Sequence, residues 1–298
     1  MENNYMLYGT LEAGGTKMLC AVGNENGEIL ERISIPTKTP EETMPPIIEY
    51  FKAKDIAALG IACFGPIDLH KDSETYGYIT STPKPGWAFY DIVGALQKEL
   101  NIPIGFDTDV NGSLLGEMTW GCAKSLTDAV YLTIGTGVGA GVMTNGKMLH
   151  GMLHPEAGHI LLKIREDDNY KGHCPFHGNC LEGMAAGPAI AERWGKPGAE
   201  LTDRPEVWDL EAYYIAQALV DYIMVLSPQK IILGGGVMHQ ESLFPQIRKY
   251  VAEMMNNYLK TKELEDLDSY IVPASLNDDQ GLMGGIKLAM MAEEEAKA

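Results

Sequence analysis

The stretch HPEAGHILLKIREDDNYKGHCPFHGNCLE, residues 154–182, organises the chain because it carries a cluster of metal-ligand side chains. Cys174, His177 and Cys180 are each separated by two residues. His159 lies 14 intervening residues upstream, at the start of an apolar run that we expect to be a strand. Tetrahedral Zn²⁺ binds four N or S ligands, and short Cys/His spacings supply them from one tight loop. The pattern predicts a zinc site that joins the loop to a neighbouring strand, and four protein ligands make the metal structural.

Other side chains of this region leave alternatives open. Two free cysteines and scattered histidines are the alternative to a metal site, but Cys/His clustering at this spacing is uncommon by chance. His173 could replace one ligand, whereas His150 and His154 fit the spacing less well. Glu156 and Glu182 flank the four ligands, one on either side. A zinc loop between two acidic side chains predicts a scaffold that positions groups for binding hydroxyls.

Length and composition indicate a globular, cytoplasmic protein. The 298 residues are enough for two domains with a large core, and 45% of them are hydrophobic. No apolar run reaches the roughly 18 residues of a membrane span, and the N-terminus lacks the features of a signal peptide. The formal charge of −18 disfavours nucleic acid and anionic membranes as partners. In this compartment we expect Cys20, Cys63 and Cys122 to be reduced core residues.

A pattern of strand, glycine turn and strand occurs twice along the chain. It covers residues 5–23 and again residues 129–144, where a hairpin at Asn145-Gly146 follows. The run AALGIACFG, residues 57–65, is small and apolar throughout, as expected for a strand that is buried on both faces. The repeated plan predicts an α/β fold of two related domains that face each other across a cleft.

The domain boundary that we predict lies near Gly121. Residues 1–121 form the N-terminal α/β domain, which the C-terminal helix at 279–298 completes. Residues 122–278 form the C-terminal α/β domain with the zinc loop. Helical patterns are predicted at 41–54, 91–100, 111–121, 181–194, 207–227, 244–259 and 279–294.

Prolines and an N-cap residue give specific expectations for the first two helices. Pro45 and Pro46 are tolerated in a helix only within its first turn, because proline lacks the N–H that later turns need. Asp91 is expected to cap the helix that follows it, since Asp is among the preferred N-cap residues.

Three glycine turns could bring backbone N–H groups close to a phosphate: residues 9–17, 134–141 and 232–237. A glycine-rich hairpin is most often only a hairpin, so each turn alone is weak evidence. The first is not a Walker A loop, because Gly15 stands where that motif has Lys. The second resembles the dinucleotide-binding pattern, but a strand and a turn follow it instead of a helix. A dehydrogenase is therefore the less favoured class of enzyme.

The acidic turn FDTDVNG, residues 106–112, follows a short predicted strand. Open α/β sheets place ligands at the carboxyl ends of their strands. Asp107 and Asp109 therefore become candidates for a general base, with the Asn111 amide beside them. Capping of the next helix by Asp109 or Asn111 is the alternative, and without the phosphate turns it would be preferred.

Taken together, the motifs resemble the ROK family of sugar kinases and repressors, which has the actin-like ATPase (ribonuclease H-like) fold. The resemblance covers nearly the whole chain and is strongest for the bacterial fructokinases of the family. The zinc signature is specific, and the glycine turns are not. The motifs are GTLEAGGTK (9–17), CFGPID (63–68), TSTPKPGW (80–87), DVN (109–111), IGTGVGAG (134–141), HPEAGH (154–159), CPFHGNCLEG (174–183) and ILGGGV (232–237).

The resemblance implies a role for each matching residue. Asp109 would be the base that takes the proton of the sugar hydroxyl. Sugar hydroxyls would be bound by Gly65, Asn111, Glu156, His159 and Glu182, with His159 chiefly a ligand of the Zn²⁺ beside Cys174, His177 and Cys180. The ATP phosphates and nucleotide would lie near Gly14, Gly15, Thr16, Lys17, Gly135, Thr136, Gly137, Gly234, Gly235 and Gly236. Most family kinases carry an Asp that helps to place Mg²⁺, where this chain has Glu12.

The function that the resemblance implies is ATP- and Mg²⁺-dependent phosphorylation of fructose at its 6-hydroxyl, by a homodimer with structural Zn²⁺. Within this class the alternative is a broader hexose kinase that acts on glucose or mannose. Outside it, the alternative is a non-catalytic sugar-binding protein of the same fold. Asp109 distinguishes the two classes, because a protein that only binds sugar has no need of a carboxylate there.

Overall fold

The structure is a computed structural model that describes residues 5–298. Its strands are β1 (Leu7–Ala13), β2 (Lys17–Asn24), β3 (Ile29–Pro36), β4 (Ala58–Cys63), β5 (Tyr78–Ile79), β6 (Tyr90–Asp91), β7 (Ile104–Thr108), β8 (Ala129–Ile134), β9 (Val138–Thr144), β10 (Lys147–Met148), β11 (Lys230–Gly234) and β12 (Ile271–Pro273). Its α-helices are α1 (Pro40–Lys52), α2 (Ile92–Leu100), α3 (Asp109–Thr119), α4 (Leu181–Ala185), α5 (Gly187–Trp194), α6 (Pro205–Leu226), α7 (Leu243–Met255), α8 (Lys262–Glu265), α9 (Leu267–Tyr270) and α10 (Gln280–Lys297).

The first compact unit runs up to Ser125 and adds His150–His154 and Ser275–Ala298. Its sheet has the strand order β3-β2-β1-β4-β7. β1, β2 and β3 form an antiparallel meander, whereas β4 and β7 run parallel to β1. All six residues of β4 are buried, which confirms the prediction of a strand covered on both faces.

The second compact unit comprises Leu126–Leu149 and Pro155–Ala274. Its sheet has the order β10-β9-β8-β11-β12, again an antiparallel meander followed by two parallel strands. The strand and turn plan predicted to occur twice is therefore present in both sheets. The core of this unit packs around α6, whose Trp208, Tyr214 and Leu219 are each at most 3% exposed.

Helix α10 packs closely against helix α3 of the first unit through glycines. A Cβ atom on Gly284 would lie 1.7 Å from the carbonyl oxygen of Gly112 in α3. Only glycine allows two helix backbones to approach this closely, so α3 and α10 form one tightly packed layer.

The helix predicted at 41–54 is α1, but the expectation for its prolines is wrong. Pro45 and Pro46 are the sixth and seventh residues of α1, beyond its first turn. Proline at these positions leaves the carbonyls of Glu41 and Glu42 without their helical N–H partners. Both glutamates are exposed, so water can solvate the freed carbonyls.

The structure around His159 differs from the expectation of a strand. His159 ends a 3-10 turn, Ala157–His159, instead of beginning a strand. Gly158 packs against β9, where a Cβ would lie 1.9 Å from the Val138 carbonyl oxygen, so only glycine fits at this point of the turn.

The single helix predicted at 181–194 is two helices, α4 and α5, that break at Ala186. Pro188 has no N–H for the carbonyl of Met184, which accepts instead from Nη1 of Arg193 at 3.2 Å.

Across residues 5–298, no helix combines the length and apolar character needed to cross a bilayer.

Candidate active site and metal centre

The four residues predicted to bind zinc lie together in the second unit. Nδ1 of His159 is 3.8 Å from Sγ of Cys174 and 3.5 Å from Sγ of Cys180, and Nδ1 of His177 is 3.7 Å from Sγ of Cys174. All four ligand atoms lie within 4.8 Å of one another. Tetrahedral Zn²⁺, with Zn–S of about 2.3 Å and Zn–N of about 2.0 Å, separates S and N ligands by roughly 3.5 Å. The donor set therefore fits Zn²⁺ in both chemistry and spacing.

Local backbone geometry brings these ligands into place. Gly178, at φ +63°, closes a turn in which its N–H donates to the Cys174 carbonyl at 2.9 Å. Cys180 is the N-cap of α4, and its Sγ accepts from the Gly183 N–H at 3.4 Å. Burial raises the pKa of the Cys180 thiol to about 11, although the Gly183 N–H opposes this. A bound cation would be needed to keep this sulfur as a thiolate at neutral pH.

The three other histidines considered as ligands lie elsewhere. His173 is bonded to α5, with Nδ1 2.5 Å from Oε2 of Glu192. His150 and His154 belong to the first unit, where His154 Nε2 accepts from the Ile67 N–H at 3.3 Å. The spacing left alternative ligands open, and the structure brings together His159, Cys174, His177 and Cys180.

Two carboxylates accompany the metal ligands in the second unit. Oε2 of Glu182 accepts from the Val138 N–H at 3.0 Å, and this bond joins the zinc loop to the glycine turn after β8. Burial raises the pKa of Glu156, His159 opposes the shift, and the charge of Glu182 adds to it. Glu156, His159 and Glu182 therefore interact electrostatically within the second unit. The bond between Glu182 and Val138 was not evident from the sequence, since 44 residues separate the partners.

A cavity of about 670 Å³ in the second unit joins two of the predicted glycine turns. Gly135 and Thr136 of one turn and Gly236 of the other line it. This volume lies within the range typical of small-molecule pockets. Val237 of the second turn also lines it, and the other lining residues were missed by sequence reasoning: Gly187, Pro188, Ile190, Pro197, Gly198, Ala199, Thr202, Trp208, His239 and Gln240.

One sequence signal could have found part of this lining. Gly187-Pro188 interrupts an otherwise helical pattern, and such a break often marks a functional bend. In the structure, the Gly187 N–H donates to the Gly135 carbonyl at 2.8 Å and so fixes the start of α5 beside the turn. Trp208 carried no such signal, because an aromatic residue on an apolar helix face is typical of any core.

The acidic turn of the first unit places Asp109 at the first position of α3. The cap is Thr108, whose side chain accepts from the Asn111 N–H at 3.1 Å. The alternative in which Asp109 or Asn111 caps this helix is therefore wrong. Oδ1 of Asp109 accepts from the Val110 N–H at 2.9 Å. A negative charge at this end of a helix is stabilised by the helix dipole.

Asp107 is held by several hydrogen bonds. Its Oδ1 accepts from the Asn111 Nδ2 and the Thr108 N–H, both at 2.7 Å. Its Oδ2 lies 3.0 Å from Nε2 of His150. That hydrogen bond, with the Asp107 charge, raises the pKa of His150 against the effect of burial. Asp107 thus orients the Asn111 amide and is itself bonded to His150.

Glu12, at the end of β1, is the acidic side chain considered for Mg²⁺. Burial, and then the charge of Asp109, raises the pKa of Glu12 to about 7, while Lys17 opposes the shift. A buried carboxylate is a hard oxygen donor whose charge Mg²⁺ would neutralise, so Glu12 suits this metal.

The glycine turn after β1 forms a hairpin in the first unit. The Gly14 N–H donates to the Lys17 carbonyl at 3.1 Å, and Gly15 and Thr16 form the tip. Gly65 lies beside His154, whose Cε1 would be 3.1 Å from a Cβ on Gly65. The turns near Gly14 and Gly135 belong to different units.

Solved structures match this architecture over almost its full length. The ROK hexokinase of Thermus thermophilus has a TM-score of 0.78 at 23% identity, covering 98% of this chain and 100% of that chain. The likeness confirms the predicted fold class, the actin-like ATPase fold found in ROK kinases. The sequence also matches the ROK family over residues 8–292, and the chain belongs to this family.

Curated relatives are similar along nearly the whole sequence. The fructokinase of Pediococcus pentosaceus is 47% identical over 291 residues, which are 98% of this chain and 100% of that protein. The fructokinase of Streptococcus mutans serotype c (strain ATCC 700610 / UA159) is 46% identical over 289 residues, 95% of this chain and 97% of that protein.

Proposed function

We propose that this chain is a fructokinase, which transfers the γ-phosphoryl group of ATP to the 6-hydroxyl of fructose. The observation that carries the proposal is the identity of 47% and 46% to two proteins named fructokinase, over nearly the whole chain. The test is an ADP-release assay with fructose, glucose and mannose, together with identification of the phosphorylated product. Release of ADP that no sugar stimulates would contradict the proposal.

Asp109 is the general base in this reaction. Its carboxylate takes the proton of the acceptor hydroxyl, the freed oxygen forms a new bond to the γ-phosphorus, and the bond from that phosphorus to ADP breaks. Two features support Asp109: it follows β7 at the carboxyl end of the strand, and its carboxylate is not needed as the helix cap. Asp107 is assigned a supporting role, because it holds Asn111 and His150.

Each unit carries residues that we assign to sugar binding. In the first unit, Gly65 and Asn111 bind sugar hydroxyls, and Asp107 orients the Asn111 amide. In the second unit, Glu156, His159 and Glu182 do so, and the zinc loop holds their positions. Sites that hydrogen-bond the hydroxyls of a sugar discriminate strongly between sugars. A sugar that lacks one of these hydroxyls leaves a buried polar group of the protein unpaired.

ATP binds at the glycine turns. In the second unit, the cavity lined by Gly135, Thr136 and Gly236 has the volume for a nucleotide. In the first unit, the turn from Gly14 to Lys17 is assigned to phosphate binding. Glu12 would help to hold Mg²⁺, which when bound would neutralise phosphate charge. Because Glu12 has a raised pKa, its carboxylate ionises more completely once a cation is beside it.

Zn²⁺ is bound by His159, Cys174, His177 and Cys180 in a structural role, since four protein ligands leave no position for water. The protein is cytoplasmic and forms a homodimer. Family resemblance supports the dimer, and the aromatic loop at 76–90 is a plausible contributor because it exposes Phe89 by 68%.

A further inference from the structure

The loop between β5 and β6 is anchored by a buried tryptophan. Trp87 is fully buried, and its indole N–H donates to the Lys38 carbonyl at 2.6 Å. Its ring meets those of Phe64 and Tyr90 edge-on, with centroids 6.1 and 5.2 Å away. The Trp87 N–H also donates to the Lys84 carbonyl at 3.2 Å. Lys84 therefore projects from a fixed turn.

The Lys84 side chain reaches the phosphate turn of the same unit. Its Nζ donates to the Gly15 carbonyl at 2.8 Å and lies 5.4 Å from the centroid of the Phe64 ring. A Cβ on Gly15 would lie 2.3 Å from this Nζ. Glycine at position 15 thus makes room for the amine, although 69 residues separate the two partners.

Three successive carbonyls of this turn accept hydrogen bonds from the protein. Thr37 Oγ1 donates to the Gly14 carbonyl at 2.7 Å, and the Thr37 N–H donates to the Thr16 carbonyl at 3.0 Å. Lys84 supplies the bond to Gly15, between them. In a planar trans peptide the N–H points opposite to the preceding carbonyl. The bond from Lys84 therefore directs the Thr16 N–H to the side of the turn away from the amine.

We propose that Lys84 is a positioning residue of the phosphate site, which holds the Gly15–Thr16 peptide so that its N–H meets a phosphate group of ATP. The proposal rests on ATP being the phosphoryl donor. Backbone N–H groups in such a turn form a concave site for anions. The Gly15 carbonyl accepts from Lys84, and the Lys84 ammonium group is positively charged. Both reduce the electrostatic repulsion between this turn and an approaching phosphate. Lys17 lies in the same turn but does not hold this peptide.

The test compares two substitutions at position 84. Lys84→Met keeps the length and the packing on Phe64 but removes the charge and the donor. Lys84→Arg keeps both the charge and the donor. Lys38→Met is the matched control, because it removes another lysine whose side chain pairs with exposed Glu42 instead of the turn. For each protein we would measure thermal unfolding and titrate ATP, ADP and adenosine, and then determine kcat and KM.

Lys84→Met should weaken ATP and ADP binding about 10-fold or more, the worth of one charge-assisted hydrogen bond. Adenosine, which has no phosphate, should bind as it does to the unaltered protein. Lys84→Arg should restore most of the loss, and Lys38→Met should behave normally. Normal ATP binding by Lys84→Met, an equal loss for adenosine, or an arginine variant as weak as the methionine variant would each overturn the proposal.

The binding measurements are independent of turnover. If the unaltered protein phosphorylates no sugar, the proposed function fails, yet the difference between ATP and adenosine still tests Lys84. If turnover is normal and Lys84→Met keeps its ATP affinity, only the role of Lys84 fails.

Discussion

Replacing Asp109 by Asn separates a catalytic role from a structural one. Asn keeps the size of the side chain and a carbonyl oxygen that can accept the bond from the Val110 N–H. It cannot accept a proton at neutral pH. General-base catalysis typically contributes about 10²–10⁴-fold in rate, so kcat should fall by at least that factor.

Stability should change little in this variant, because two electrostatic effects oppose each other. A carboxylate in the first turn of a helix is stabilised by about 0.3–1 kcal/mol, and Asn loses this interaction. The same charge, however, contributes to raising the pKa of Glu12 to about 7, and its removal relieves that repulsion. Thr108 still caps α3 through the Asn111 N–H. We expect the free energy of unfolding to change by about 1 kcal/mol or less.

The assay combines ADP release at saturating ATP and fructose, calorimetric titration of fructose, and denaturant unfolding. Thr108→Ala is the control: it removes the cap, which costs about 0.5–2 kcal/mol, but keeps the Asp109 carboxylate. Asp109→Asn should lose turnover and keep fructose binding, whereas Thr108→Ala should lose stability and keep most of its turnover. A near-normal kcat for Asp109→Asn would refute the reasoning and make Asp107 the next residue to test.

The remaining predictions concern metal, sugar, assembly and pH. Elemental analysis should find about one Zn²⁺ per chain, and Cys180→Ser should lose the metal and much of the fructose affinity; active protein without zinc would contradict this. Fructose should be preferred over glucose, so equal kcat/KM for the two would count against the specificity. Light scattering should report a dimer at micromolar concentration, and a monomer would exclude it. Because Asp107 raises the pKa of His150, the interaction stabilises the fold fully below the unfolded-state pKa of about 6.5 and is lost as pH rises through the folded-state pKa. Denaturant unfolding of His150→Gln should show a smaller fall in stability over that window, and an unchanged profile would disprove the coupling.

Short-range patterns carried much of the fold. The repeated strand, glycine turn and strand appear as two sheets of the same order, because hairpin pairing is decided by neighbouring residues. Asp91 caps α2, accepting from the Gly94 N–H, as predicted from its residue type alone. The prediction of one helix over residues 181–194 was wrong because a tertiary contact overrides the local pattern. The Gly187 N–H donates to the Gly135 carbonyl, and the helix breaks just before this residue.

The sequence by itself determined which residues could bind metal, phosphate or a sugar, since spacing and residue type define those chemistries. Only the tertiary structure decided which of these residues lie close together in space. It placed His159 on a 3-10 turn and left His173 on Glu192, although both histidines were candidate ligands. It also brought Lys84 to Gly15 across 69 residues. Such contacts depend on the closure of long loops and on burial shared by many residues, so no short stretch of the chain records them.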